Sequence, residues 1–224
     1  MKKITKKYTF AVIATDVVIF TIQDGQLKVL LIQMKKVPFT GQWAIPGGLV
    51  KPDESVDNSA RRQLVSKTGV SDIYLEQLYT FGEVNRDPFG RVVSVAYFAL
   101  IPYGGFKLKT TKEYEGVDWF GTKTLPKLAY DHAEIISSAV ERLKSKLAYT
   151  NIVYSLLPNE FALGELQQLY EIILDKKFDR RNFRRKILSL NLLKKLGKKR
   201  GGDANRPAEL YSFVKRKPAW VQVL

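Results

Sequence analysis

Hydrophobic and polar positions along the chain fall into two regimes. In the first, "YTFAVIATDVVIFTI" (8–22), "LKVLLIQM" (27–34), "YLEQLYTFGEV" (74–84) and "VVSVAYFALIP" (92–102) are dense in β-branched and aromatic residues, and "QDGQ", "PFTGQ" and "DPFGR" separate them with turn chemistry. These segments predict strands, with "YEGVDWFG" (114–121) as one more. Val56, Ala60 and Leu64 recur every four residues, as on the inner face of a short helix. From Asp131 the apolar period becomes helical through Ile135, Ala139 and Leu143, and Glu134 completes the pattern of a capping box with Asp131.

In the second regime Leu163, Leu166, Tyr170 and Ile173 share one face of an amphipathic helix. "DKKFD" makes a turn, and Asp179 is placed to cap a second helix with Phe183, Ile187 and Leu190 on one face; Leu188 stands off that face. At ~100° per residue, Arg181 and Arg185 point the other way, with Asn182 and Arg184 on the flanks. "LLKKLG" and "AELYSFVK" predict two strands joined by a loop "KKRGGDANRP". Two helices, a tight turn and a basic hairpin describe a winged helix-turn-helix. The expected organisation is an α+β chain of two domains, 1–147 and 148–224.

Composition narrows the classes. The 45% hydrophobic and 26% charged content is that of a folded globular protein, and the absence of cysteine excludes disulfide frameworks, thiolate nucleophiles, zinc fingers and iron–sulfur clusters. The N-terminus is basic and then apolar like a signal peptide, but Asp16 interrupts the run, and no apolar stretch approaches the ~20 residues of a membrane helix. A cytoplasmic, non-membrane protein is expected. The net charge of +15 is uneven: residues 1–147 carry 21 basic and 15 acidic side chains, residues 148–224 carry 16 and 7. The second half therefore attracts polyanions, with nucleic acid or an anionic membrane surface as candidates.

Residues 47–70 resemble the Nudix box: Gly48, Glu54, Arg62, Leu64, Gly69 and Val70 fall on its pattern. Where that family has three helix glutamates, however, this sequence has Gln63, Ser66 and Lys67. Those positions share one helix face, and Mg²⁺ needs hard anionic oxygens there; two neutral side chains and an ammonium do not supply them. Glu54, Asp53, Asp57 and Glu83 are the carboxylates left for an improvised site. No catalytic residue, metal or cofactor is therefore expected. Arg86 and Arg91 bracket a turn and suit diphosphate oxygens, with an Arg86–Asp87 ion pair as the alternative. With Trp43, Gly47, Gly48, Glu54 and Lys67 they form the expected ligand site; Trp43 and Phe39 are candidates for stacking on a base. His132, the only histidine, is expected to pack or cap.

A Nudix-like domain with an altered box followed by a winged helix resembles the Nudix-related transcriptional regulators of NAD metabolism, and "YDHAEIISSAVERLKSKLAY" and "FALGELQQLYEIILDKKFDRRNFRRKILSLNLL" carry the likeness across nearly the whole chain. The resemblance implies a Nudix-like α/β/α sandwich with a mixed sheet, a homodimer on a palindromic operator in double-stranded DNA, and repression relieved by ADP-ribose. A related group responds to arabinose, and an active Nudix hydrolase is the remaining alternative. On the winged helix, Arg180, Arg181, Asn182, Arg184 and Arg185 are expected at DNA, the helix face reading base edges; Lys198, Lys199, Arg200 and Arg206, on the hairpin loop, would meet phosphates or the minor groove.

Overall fold

A computed structural model describes residues 10–69, 73–104, 108, 114–202 and 205–223, with the side chains of all of these but 202, 205 and 206. Val70 of the box lies outside the described residues. Strands β1 (Val12–Gln23), β2 (Gln26–Met34), β3 (Trp43–Ala44), β4 (Gly47–Leu49), β5 (Tyr74–Phe81), β6 (Val92–Leu100) and β7 (Tyr114–Gly121) form one mixed sheet. β1 is its spine. It pairs in parallel with β6 from Val12↔Val92 to Phe20↔Leu100, and its other edge takes β4 near Asp16 and β2 beyond Phe20, both antiparallel.

Alternation along β1 builds both faces. Val17 and Ile19 meet Ala60 and Leu64 of α1 (Val56–Thr68), whereas Val18 and Phe20 meet Ile135, Ala139, Leu143 and Leu147 of α2 (His132–Tyr149). The result is the expected α/β/α sandwich. Ser55 caps α1 by accepting from the Asn58 amide, and Gly69, at φ +72°, closes it with its N–H on Val65 O. Only a residue tolerant of the left-handed region serves that cap without strain, which explains the box glycine.

Asp131 departs from the capping-box expectation: its carboxylate makes no cap and is drawn instead to Arg86. α2 is about 27 Å long at 1.5 Å per residue and runs without a break through the expected boundary at 147. It leads into a 3₁₀ helix (Ile152–Leu156), β8 (Phe161–Ala162), α3 (Leu163–Leu174), α4 (Arg180–Ser189), and the hairpin β9 (Leu193–Gly202) and β10 (Asn205–Phe213). The 3₁₀ helix and β8 have no signal in the sequence pattern. β8 pairs with β10, making a three-stranded sheet beneath α3 and α4. One apolar cluster joins the sandwich to the winged helix, from Phe98 and Leu143 through Ile152 and Phe161 to Leu166, Phe183 and Phe213.

The C-terminal segment returns to α2. Val221 N–H donates to Tyr149 O, Val223 N–H to Ala148 O, and the Asn151 side chain bonds Lys217 O and Ala219 N. Trp220 stacks on Tyr149 with centroids 5.2 Å apart. Arg216 donates to the carbonyls of Tyr154, Leu157 (2.7 Å) and Pro158 (3.1 Å), gathering carbonyls from the last turn of the 3₁₀ helix and the two residues after it. Arg216→Ala is expected to lower the unfolding free energy in a urea titration by about 1–3 kcal/mol, the usual cost of orphaning such acceptors; an unchanged midpoint would mean that the tail docks without its guanidinium.

Candidate functional site

The Nudix-like box keeps its frame because the frame is structural. Arg62 holds Glu54 through Nη2 (2.5 Å) and Nε (3.0 Å) and reaches Leu49 O (3.3 Å), so the loop before α1 is tied to the helix. Hydrogen bonding from Arg62 pushes the Glu54 carboxyl down to about 2. Leu64 is core, and Gly48 passes so near Gln63 that a Cβ would lie 2.6 Å from its amide. The three positions that carry acids in the family are engaged otherwise. Gln63 donates its amide to Gly47 O (3.3 Å) and accepts from Arg62 Nη1 (3.2 Å); Ser66 bonds Gln63 O (2.8 Å); buried Lys67 sits 4.0 Å over the Tyr114 ring. Of the other acids, Asp57 accepts from Tyr97 (2.6 Å). Among the described residues no three His, Cys, Asp or Glu side chains converge as a metal would require, and a site of Gln, Ser and Lys does not fit Mg²⁺.

Beside this frame lies a cavity of about 490 Å³, within the ~300–1,000 Å³ usual for small-molecule sites. Its floor is built by Asp16 of β1, Arg86 of the β5–β6 loop, and His132 at the start of α2; Ile32, Ala44, Ile45, Tyr114 and Tyr130 form apolar walls, and Phe89, Leu49 and Arg91 stand at the mouth. Of the expected ligand residues, Gly47, Gly48, Arg86 and Arg91 line it, whereas Trp43, Glu54 and Lys67 do not. Trp43 packs edge-on against Phe120 (4.5 Å) and pairs with Leu128 through its backbone. The aromatic residues lining the cavity are Tyr114, Tyr130 and Phe89, which the sequence pattern did not single out.

Arg86 is not the free phosphate clamp that its position beside a turn predicts. Its guanidinium is buried and grips Asp131 with two bonds of 2.7 Å, and it also lies 3.3 Å from Asp16; Asp87, its expected alternative partner, accepts from the Phe89 amide instead. Burial works against the charge, but Asp131 and Asp16 outweigh it and hold the guanidinium above its ordinary range. Arg91 is exposed and donates to Glu83 O (3.1 Å). Asp16 also accepts from Ser94 (2.6 Å). A charged residue in the middle of a buried strand was its signal in the sequence. Gly47 is fixed by the same carboxylate, since a Cβ there would stand 2.0 Å from Asp16 Oδ1 and 2.9 Å from Thr15 O.

The winged helix presents a second surface. Asp179 caps α4 by accepting from Asn182 N–H (2.9 Å), as its spacing predicts. Arg180, Arg181, Asn182, Arg184 and Arg185 are all exposed; Arg185 bonds Asn182 Oδ1 (2.9 Å) and Arg184 reaches the Tyr211 hydroxyl (3.3 Å). Lys198, Lys199 and Arg200 are not on a loop: β9 continues through them and still pairs with β10, after a register shift around Gly197 (φ +69°). Arg206 belongs to β10, and its side chain lies outside the described residues. Lys199 joins Arg180 and Arg184 along a groove between the first turns of α3 and α4 and the wing. Lys198 and Arg200 pair with Glu160 (2.8 Å) and Glu165 (3.0 Å). Among the described residues no helix is long and apolar enough to cross a membrane.

Both surfaces have counterparts in known proteins. Residues 12–139 match the NUDIX domain and residues 153–213 the NrtR DNA-binding winged helix domain. Over 211 residues, 92% of this chain and 84% of the relative, the sequence is 36% identical to the ADPR responsive transcriptional repressor NtrR of Acinetobacter baylyi. The structure is similar to that of Shewanella oneidensis NrtR complexed with a 27mer DNA, with a TM-score of 0.80 and 38% identity over 90% of this chain and 93% of that one. The NUDIX domain of the same Shewanella protein complexed with ADP ribose matches 62% of this chain and 92% of its own length, at TM-score 0.55 and 38% identity. Nudix sandwich and winged helix thus occur together in one continuous match, and the chain belongs to the NrtR family of Nudix-related, DNA-binding transcriptional regulators.

Proposed function

We propose that the chain is a cytoplasmic, homodimeric repressor of NAD-metabolism genes that binds a palindromic operator in double-stranded DNA and releases it when ADP-ribose enters the Nudix-like cavity. The observation that carries this reading is the full-length similarity to NrtR, across both the cavity-bearing domain and the winged helix. Domains 1–147 and 148–224 divide the work. Arg181, Asn182 and Arg185 read base edges in the major groove, and Arg180, Arg184, Lys198, Lys199, Arg200 and Arg206 hold phosphates. Two copies are needed because one winged helix meets too few base pairs for a useful specificity ratio.

Coupling runs through α2. His132, its first residue, lines the cavity floor, Asp131 just before it holds Arg86 there, and its last turn is bonded to the C-terminal tail of the winged helix. A ligand that shifts the Arg86–Asp131 pair moves one end of a stiff rod whose other end sets the position of α4. Any difference in ligand affinity between the two positions is then, by linkage, a difference in DNA affinity.

Two measurements test this. Incubation with ADP-ribose and Mg²⁺ or Mn²⁺ is expected to release no AMP, since Gln63, Ser66 and Lys67 cannot hold the metal; turnover at ~1 s⁻¹ or above would make the chain an enzyme after all. In fluorescence anisotropy on an operator fragment, ADP-ribose is expected to weaken binding. Arg181→Ala or Arg185→Ala should lose ~1–3 kcal/mol on the operator and little on random DNA, whereas Lys199→Ala should weaken all duplexes and flatten the salt slope by about 0.9. A DNA affinity indifferent to saturating ADP-ribose would remove ADP-ribose as the effector.

A further inference from the structure

The floor of the cavity holds two polar atoms that the fold positions without using. Asp16 Oδ2 accepts from Ser94 and faces Arg86, but Asp16 Oδ1 has no hydrogen-bond donor among the described residues. His132 Nε2 stands 3.7 Å from it, beyond hydrogen-bond range. The state of that histidine is set by the backbone: Nδ1 accepts the Ile45 N–H (3.1 Å), so the ring proton resides on Nε2. Burial pushes the imidazole below its ordinary pKa and keeps it neutral at pH 7. Both side chains are more than nine-tenths buried, and both line the cavity.

The charge of the floor is equally specific. Arg86 lies between two carboxylates, Asp131 and Asp16, so the floor has no surplus positive charge with which to hold a phosphate. An acceptor and a donor 3.7 Å apart leave room for one oxygen about 2.8 Å from each, and only a group that both accepts and donates satisfies the two. A hydroxyl does so. A phosphate oxygen has no proton for Asp16 Oδ1 and would add a like charge beside it.

We propose that Asp16 and His132 are a hydroxyl-reading pair, which receives the terminal ribose of the ligand at the cavity floor and leaves the diphosphate toward Arg91 and the mouth. This deepens the effector reading above and rests on it. Ligand hydroxyl accepts from His132 Nε2–H and donates to Asp16 Oδ1, and the two residues thereby select a sugar-terminated diphosphate over a bare nucleoside diphosphate. Ser94 and Arg86 are positioning residues, holding the carboxylate so that Oδ1 faces inward.

Titration calorimetry with ADP-ribose and with ADP, which shares the adenosine and both phosphates but lacks the terminal ribose, tests the pair. Wild-type protein should bind ADP at least about tenfold more weakly than ADP-ribose, although ADP carries more phosphate charge. Asp16→Asn and His132→Phe should each weaken ADP-ribose about tenfold more than they weaken ADP, with thermal unfolding recorded for both variants. ADP binding wild-type protein as tightly as ADP-ribose overturns the proposal without any variant, and so do variants that weaken both ligands by one factor. Failure of wild-type protein to bind either ligand would instead remove the effector reading itself.

Discussion

The ion triad of Arg86 with Asp16 and Asp131 is the constraint around which the ligand-binding domain is arranged. An isolated buried charge would cost tens of kcal/mol in a dry interior, so the guanidinium requires its carboxylates where they are. Asp16 comes from the spine of the sheet, Asp131 from the start of α2, and Arg86 from the loop between β5 and β6, so three elements distant in sequence are pinned at one point. Local preferences yield to that demand. Asp131 gives up a helix cap, and position 47 can bear no side chain.

The altered box follows the same division between scaffold and chemistry. Glu54 and Arg62 tie a loop, Leu64 fills the core, Gly48 admits Gln63 and Gly69 ends the helix; each would be needed in a protein that never met a metal. At the three positions where the box of the family carries acids, the helix here bears Gln63, Ser66 and Lys67, which engage Gly47 O, a carbonyl of the helix itself and the Tyr114 ring. The residues that keep the shape and the positions that differ therefore form two separate sets.

Much of the fold was legible because it is local. The two-residue alternation of β1, the helical period of α2 and the cap at Asp179 each announce themselves within a few residues. Of the expected ligand residues, Gly48 of the box and Gly47, Arg86 and Arg91 outside its pattern line the cavity, whereas Glu54 and Lys67 of the box do not. What could not be read depends on partners far along the chain: Arg86 beside its turn looks available until Asp131 is folded against it, and Lys198 and Arg200 look like loop cations until Glu160 and Glu165 are brought beneath them. Asp16 was visible as an anomaly, a charge inside an apolar run, but its use was not. Trp43 stands out by its chemistry but packs, half-buried, against the core, whereas Tyr114, Tyr130 and Phe89 are the aromatic residues that line the cavity.

The returning tail changes how the two domains are joined. The winged helix already shares an apolar cluster with the sandwich, and Asp175 at the end of α3 pairs with Lys123 beyond β7 (2.7 Å). The bonds from Val221 and Val223 to Tyr149 and Ala148, with Trp220 laid on Tyr149, add a further attachment on the last turn of α2. The tail thus works as a clamp: a displacement of the last turn of α2 carries the far end of the winged helix with it as well as the near one.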